Sequence, residues 1–342
     1  MSKVQIAVNI VTYHRKRELS DVLEKMQASP FFDDSSNMYG AIHIFVTDNA
    51  NDWNDFESDL IHIKRNPEGN TGGSGGFQQG INRIRESKEI FSHVVFMDDD
   101  VVVDPLAFVR LYEYLRTMSR EDWDRPVAGR MLRKDNPDIQ WTAAEIWNKG
   151  NIEHLGFQLS VKENCDKESW CDSSGAEYGG WWFCCYPMSF VKKNDIIPFF
   201  IHCDDVEYGL RCGKQPIILK DVQVVHETYE YRDSPIIHYY DTRNPLFVNS
   251  IYSLDDNPIE IFKSWKSKIT EYHVSGYYDY EYYSIKGMVD YLRGVEWLYT
   301  IHPGQYHEKL LKKRIIRYKN SILWRYAQWK FCRHYGIKSI NL

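Results

Sequence analysis

Val94-Val95-Phe96-Met97 runs without a break into Asp98-Asp99-Asp100. The apolar residues predict a short strand buried on both faces, with the aspartates at its carboxyl end. Three neighbouring carboxylates repel one another, and a solvated loop or a divalent cation relieves that cost. Alternate side chains of an extended chain point the same way, so Asp98 and Asp100 can share one ligand. Mg²⁺ and Mn²⁺ take carboxylate oxygens together with substrate phosphates. An acidic turn capping the next helix is the rival reading, and three aspartates in succession favour the metal.

Working outward, Val4 to Thr12 is another β-favouring apolar run, and Glu18 to Gln27 reads as a helix stopped by Ser29-Pro30. Ile42 to Thr47 predicts a second strand ending at Asp48-Asn49, and Leu60 to Lys64 a third, followed by the turn-rich Asn66 to Gly76. A helix is expected from near Ser74 to about Ser87, and Asp104-Pro105 is a good helix start, with Asp as N-cap and Pro at the first position. This β-α-β order predicts an α/β domain with a mostly parallel sheet, whose ligands sit at the carboxyl ends of the strands. Val127 to His226 is less regular, and beyond about Asn249 the chain becomes helical, aromatic and finally basic. We therefore expect an α/β domain over 1–250 and a helical region over 251–342.

A chain of 342 residues with 43% hydrophobic and 26% charged residues is globular, which excludes a disordered or collagen-like protein. No apolar run approaches the roughly 18 residues of a membrane-spanning helix, and no long apolar leader core opens the chain. Seven Cys without Cys-x-x-Cys spacing indicate neither a disulfide framework nor a zinc knuckle, so a reducing cytoplasmic setting is expected. The net charge of −6 hides an asymmetry: residues 309–342 hold ten Lys/Arg and no acidic residue. The acidic remainder argues against nucleic acid as a partner, and the basic tail suits an anionic surface. Leu311, Ile315, Tyr318, Ile322, Tyr326 and Trp329 recur on one helical face among those cations, as in a helix lying in a membrane interface. Packing of that helix on its own domain, or on a partner in a homo-oligomer, is the alternative. Tyr277 to Tyr283, five Tyr in seven residues, reads as core or interface.

A strand ending in Asp48-Asn49, a Gly-rich loop and an apolar strand ending in Asp-x-Asp together resemble the inverting family-2 nucleotide-sugar glycosyltransferases. Arg65-Asn66-Pro67-Glu68-Gly69-Asn70-Thr71-Gly72-Gly73-Ser74-Gly75-Gly76-Phe77 looks like the galactofuranosyltransferase version of that loop. Trp181-Trp182-Phe183, and Asp204-Asp205-Val206-Glu207-Tyr208-Gly209-Leu210-Arg211 with His226 downstream, are similar to the same branch. The resemblance covers about residues 3 to 250, with four motifs in the family's order. It implies a GT-A type domain and transfer of galactofuranose from UDP-galactofuranose to a hydroxyl of a glycan, on a polyprenyl-linked acceptor at the cytoplasmic face of a membrane. A surface polysaccharide is the expected product and the new linkage is β. A pyranose donor (UDP-glucose, UDP-galactose or a rhamnosyl nucleotide) and a non-catalytic glycan- or lipid-binding protein are the alternatives. Phe77-Gln78-Gln79 departs from the Ala-Arg-Asn-like residues of general members. The catalytic pattern starts at residue 4, without the large N-terminal β-domain of the mycobacterial galactan polymerase, so addition of single residues is expected.

Carried over residue by residue, Thr12 and Arg15 lie near the nucleotide, and Asp48 accepts from the uracil N–H. A strand-end turn explains Asp48-Asn49 equally well. Asn70, Gly75 and Asp99 belong to the donor site, with Arg65 the nearest cation for a pyrophosphate. Four Gly in the seven residues Asn70 to Gly76 let amides approach an anion, although a merely flexible loop has the same composition. Neither a phosphate-loop Gly-Lys-Ser/Thr nor a strand–GxGxxG–helix unit is present. His226 is the third metal ligand beside Asp98 and Asp100, and its imidazole suits Mn²⁺ somewhat better than Mg²⁺; a lone His at a strand end is otherwise commonly structural. Asp205 is the base that takes the acceptor's proton and Asp204 positions the acceptor, while an N-cap pair would use the same residues. Gly179-Gly180 is expected to expose Trp181 and Trp182 as faces for the donor sugar, with Trp182 also on the acceptor, or one of them in the core. Glu145 is a further acceptor-site carboxylate.

Overall fold

The computed structural model describes residues 3–164, 173–228, 233–252, 257–313, 315 and 317–338. Contacts divide the chain into two units, Met1–Ile197 with Asp204–Tyr231, and Pro198–Cys203 with Arg232–Leu342. The division falls before residue 250, where composition had placed it, because the helix Ile237–Tyr252 packs within the second unit.

In the first unit the chain runs β1 (Ile6–Thr12), α1 (Lys16–Gln27), β2 (Ile42–Asp48), β3 (Phe56–Glu57), β4 (Ile61–Arg65), α2 (Gly72–Glu86) and β5 (His93–Asp98). It continues through β6 (Val102–Val103), α3 (Pro105–Thr117), β7 (Val127–Arg133), β8 (Ile139–Thr142), β9 (Glu145–Asn148), β10 (Asn151–His154) and β11 (Leu159–Ser160). The short α4 (Val161–Asn164), β12 (Cys184–Pro187), α5 (Met188–Val191), α6 (Asp204–Cys212) and β13 (Ile217–His226) complete it. The sheet order is β11-β8-β7-β12-β5-β1-β2-β4-β3, with β13 joined to β7 and β6. Its heart, β5-β1-β2-β4, is parallel, as the apolar runs predicted. Helices cover both faces. Ile6, Val8 and Ile10 meet Leu19, Val22 and Met26 of α1 and Phe108 and Leu111 of α3, whereas Ala7 and Phe45 meet Phe77, Ile81 and Ile84 of α2.

Register decides what reaches the carboxyl ends. Asp98 pairs with Val11, Val11 with Thr47 and Thr47 with Lys64, so one row crosses four strands, and Thr12, Asp48 and Arg65 form the next row. β13 pairs Val225 with Val102, just after the aspartates, which delivers His226 to them. Asp104 caps α3 as expected, accepting from Leu106 N at 2.9 Å.

Three expectations change. Helix α2 starts at Gly72, two residues before Ser74, and its glycines serve packing. A Cβ at Gly76 would stand 2.4 Å from Val11, and one at Gly80 would stand 1.8 Å from Asn9 Oδ1. The pair Gly179-Gly180 tucks its neighbours in: a Cβ on Gly179 would meet Ala128 at 2.7 Å and one on Gly180 the Trp182 ring at 2.1 Å. Trp181 and Trp182 are accordingly 4% and 2% exposed, on opposite faces of the sheet. Trp181 stacks on Phe96 at 4.6 Å, and Trp182 Nε1 donates to Gly129 O at 2.8 Å. Cys184, Cys185, Cys203, Cys212 and Cys332 are free thiols; Cys165 and Cys171 lie outside the described residues.

The second unit carries α7 (Ile237–Tyr252), α8 (Pro258–Val274), α9 (Tyr278–Tyr291), a 3-10 turn (Val295–Thr300), α10 (Pro303–Leu311) and α11 (Arg317–His334). Its core gathers Phe200, Tyr239, Tyr240, Tyr283 and Leu310, so the Tyr-rich stretch contributes to the interior through Tyr283. Asp290, fully buried, accepts from Tyr239 at 2.9 Å and Tyr306 at 2.6 Å, and Lys286 and Arg293 pair with it. The tail is two helices where periodicity predicted one. Leu311 ends α10, and Ile315 lies between the helices, against the Phe200–Tyr240 cluster. Arg314 is outside the described residues, as are the side chains of Arg317 and Tyr318. Among the described residues, no helix is long and apolar enough to cross a membrane.

Candidate active site

The end of β5 and the end of β13 bring three donors together. His226 Nε2 lies 3.0 Å from Asp100 Oδ1 and 3.6 Å from Asp98 Oδ2, and one ligand atom from each residue lies within 4.8 Å of the others. Two carboxylates and an imidazole form a donor set that fits Mn²⁺ or Mg²⁺. Arg15, just after β1, reaches across: its Nη1 lies 2.9 Å from Asp99 Oδ1 and 2.9 Å from Asp100 Oδ2. Burial works against the guanidinium's charge, but Asp100 and Asp99 together hold its pKa above the usual value. Asp99 is buried, and desolvation pushes its carboxyl pKa up while Arg15 and Thr12 beside it pull the other way. Residues assigned to the nucleotide thus close around the acidic triplet. The Arg15 pairing is a contact that sequence reasoning did not foresee.

A second group sits on α6. The chain enters this helix through Phe200, His202 and Cys203, all with positive φ, a costly run for side-chain-bearing residues. Asp204 accepts from Ser74 Oγ at 3.1 Å, which fastens the start of α6 to the start of α2. Asp205 accepts from the next amide of its own helix, Val206 N, 2.8 Å away; both aspartates lie inside the first turn of α6, not at its N-cap position. Asp205 is half-buried. Desolvation first, then the charges of Asp204 and Glu145, raise its carboxyl pKa well above the ordinary range.

Glu145 opens β9, is 2% exposed, and its Oε1 lies 2.8 Å from His154 Nδ1. Its backbone bridges Tyr178, and α6 packs on Tyr178 where a Cβ at Gly209 would stand 2.3 Å away. Gly209 is one turn beyond Asp205 and shares its helix face, which puts Glu145 on the side of α6 where its charge acts on Asp205.

The remaining residues make local contacts of their own. Asp48 is buried, and its carboxylate accepts from the amides of Ala50 (2.9 Å), Asn51 (3.0 Å) and Trp53 (2.8 Å), which is the turn reading realised. Arg65 lies three strands from Asp98, roughly 14 Å across the sheet, and donates to Trp53 O and Asn54 Oδ1. Asn70 Oδ1 accepts from Gly72 N at 2.9 Å and holds the turn where Gly72 takes φ +71°. Gly75 stands over Thr71, 2.4 Å from a built Cβ. Thr71 and Asn49 are joined by Asn66 Nδ2, at 2.8 and 2.7 Å, a lock between two loops that the sequence did not reveal.

Comparison with known proteins matches residues 4–228 to the family described as "Glycosyltransferase like family 2". "Galactofuranosyltransferase GlfT2" of Mycolicibacterium smegmatis is 25% identical over 327 residues, which cover 87% of this chain and 49% of that protein. "Galactofuranosyltransferase GlfT2" of Mycobacterium tuberculosis is 24% identical over 275 residues, covering 72% and 41%. The chain thus spans about half the length of the curated relatives it matches. Among solved structures, S. aureus TarS 1-349 in complex with UDP-GlcNAc aligns with a TM-score of 0.48 at 12% identity, covering 97% of this chain and 89% of that one. GalNAc-T7 with UDP, GalNAc and Mn2+ aligns with a TM-score of 0.44 at 12% identity, covering 73% and 48%.

Proposed function

The chain belongs to the family-2-like glycosyltransferases, and on that footing we propose that it transfers galactofuranose from UDP-galactofuranose to a glycan hydroxyl with inversion. The observation that carries this reading is the convergence of Asp98, Asp100 and His226 at the strand ends, with Asp205 near enough to feel the charge of Asp98. The galactofuranosyl donor is supported by the names of the two relatives, which match the branch that the motifs resemble.

Asp98, Asp100 and His226 would hold Mn²⁺ or Mg²⁺. When bound, such an ion supplies Lewis-acid neutralisation of the charge that develops on the departing diphosphate. Arg15 neutralises Asp99 and Asp100 on the side away from His226, and Thr12 and Asp48 form the floor near the nucleotide. Asp205 accepts the proton of the acceptor hydroxyl as the new C–O bond forms at the anomeric carbon and the bond to UDP breaks. A raised pKa makes its carboxylate a stronger base than an ordinary aspartate. Asp204, held by Ser74, and Glu145, held by His154, orient the acceptor. Trp181 and Trp182 support this site from within the core.

A lipid-linked acceptor fits α11. Ile322, Tyr326 and Trp329 are 64%, 45% and 54% exposed at helical spacing, with Lys319, Arg325 and Arg333 exposed around them. Ala327 and Phe331 are buried on the other side, where Phe331 meets Phe262 of α8. Such a face suits peripheral attachment to an anionic bilayer on the cytoplasmic side.

The test is turnover of UDP-galactofuranose with Mn²⁺ and a lipid-linked galactan acceptor by wild type and Asp205→Asn, with and without EDTA. Transfer lost in the variant and in EDTA, with UDP binding retained in the variant, is the expected result. Equal turnover in both proteins removes Asp205 from its role. Faster turnover of a pyranose donor shifts the donor assignment, and binding without turnover of any nucleotide sugar leaves a glycan-binding protein.

A further inference from the structure

Beyond Glu145 lies an aromatic cluster of which only His154 has a role above. Phe157 is 45% exposed, and the ring of His154 stacks on it at 5.2 Å with 20° between planes. Trp141 meets Phe157 edge-on at 4.9 Å and His154 at 5.3 Å, and the Arg133 guanidinium lies 5.5 Å from the Trp141 ring. His154 is the same residue whose Nδ1 lies 2.8 Å from Glu145 Oε1.

The backbone presents Phe157 rigidly. Gly156 at φ +62° and Gln158 at φ +54° flank it, and a left-handed glutamine persists only where its surroundings over-determine it. Gln140 Nε2 donates to Gly156 O at 2.8 Å. Leu155 is tied on both sides, its amide donating to Ala144 O at 2.9 Å and its carbonyl accepting from Ala143 N at 2.8 Å. A large apolar ring is held outward by a pinned turn and is linked through His154 to the buried Glu145. Preorganisation of this kind lowers the ordering cost of binding.

We propose that Phe157, backed by His154 and Trp141, is a stacking platform for a sugar ring of the acceptor. The C–H face of that ring lies on the exposed part of the Phe157 ring. This rests on the glycosyl-transfer reading for its purpose, but its binding can be measured separately. Probes are methyl β-D-galactofuranoside, methyl β-D-galactopyranoside and methyl β-D-glucopyranoside, titrated by saturation-transfer NMR against wild type, Phe157→Ala and Phe157→Tyr. At least one glycoside is expected to bind wild type. Its affinity should fall about five- to tenfold in Phe157→Ala, the range of one aromatic contact, and stay near wild type in Phe157→Tyr. UDP affinity and hydrolysis of the donor by water should stay unchanged in all three proteins. Absence of binding by wild type, equal binding by Phe157→Ala, or a parallel loss of UDP affinity each overturns the platform. Should wild type hydrolyse no nucleotide sugar while glycoside binding still depends on Phe157, the platform stands and the transfer reading fails.

Discussion

Asp205 is held where burial, Asp204 and Glu145 all oppose its charge, so ionising it costs the folded protein stability. A carboxyl whose folded pKa is raised keeps its proton longer in the native state, and stability falls as pH climbs from the unfolded pKa toward the folded one. Asn in its place removes that slope. We expect Asp205→Asn to melt higher than wild type at pH 7.5 by a few degrees (about 2–4 °C per kcal/mol), read by differential scanning calorimetry. Transfer in the same variant should drop about 10²–10⁴-fold. For wild type, the acid limb of kcat/KM should lie above the range of an ordinary aspartate. Asp204→Asn, by removing one like charge, should move that limb to lower pH. A limb at the ordinary aspartate position in wild type would show that another group titrates.

At the scale of elements, α2 lies against β1 only because Gly76 and Gly80 lack side chains. Gly80→Ala puts a methyl group into Asn9, whose Nδ2 donates to Phe77 O at 2.9 Å. Overpacking at such a site costs about 1–3 kcal/mol, and urea unfolding should show that loss. An unchanged midpoint would mean that the helix shifts freely. Strands β1, β2, β4 and β5 were legible as apolar runs, and the metal-type triad followed from a strand ending in acids plus the family resemblance for His226. The tryptophan pair was misread because Gly-Gly looks like a loop in sequence, whereas here it permits close approach to Ala128. The broken tail was illegible because no Pro or Gly marks the stop, and apolar spacing continues across it. Glu145 beside Asp205, Arg15 on the triplet and the Phe157 turn depend on tertiary contacts that no local pattern records.

For the whole molecule, charge is partitioned between an acidic body and a basic end, and α11 shows both exposed cations and exposed rings. Trp329→Ser combined with Ile322→Ser should weaken binding to vesicles containing phosphatidylglycerol about tenfold or more. Raising salt should weaken wild type in the same direction, since surface attraction is screened. Both should be read by vesicle sedimentation, with donor hydrolysis unchanged. Vesicle binding that ignores both changes would assign this face to something other than lipid.

Asp100 and His226 stand 126 positions apart in the chain yet touch. Any ion bridging them is therefore a removable clasp across more than half of the first unit, and chelation should act on folding as well as on turnover. Manganese at a hundred times its dissociation constant should add about 2.7 kcal/mol to wild type and nothing comparable to His226→Ala. Purification in EDTA would then yield a looser, more protease-sensitive protein before any assay of chemistry began.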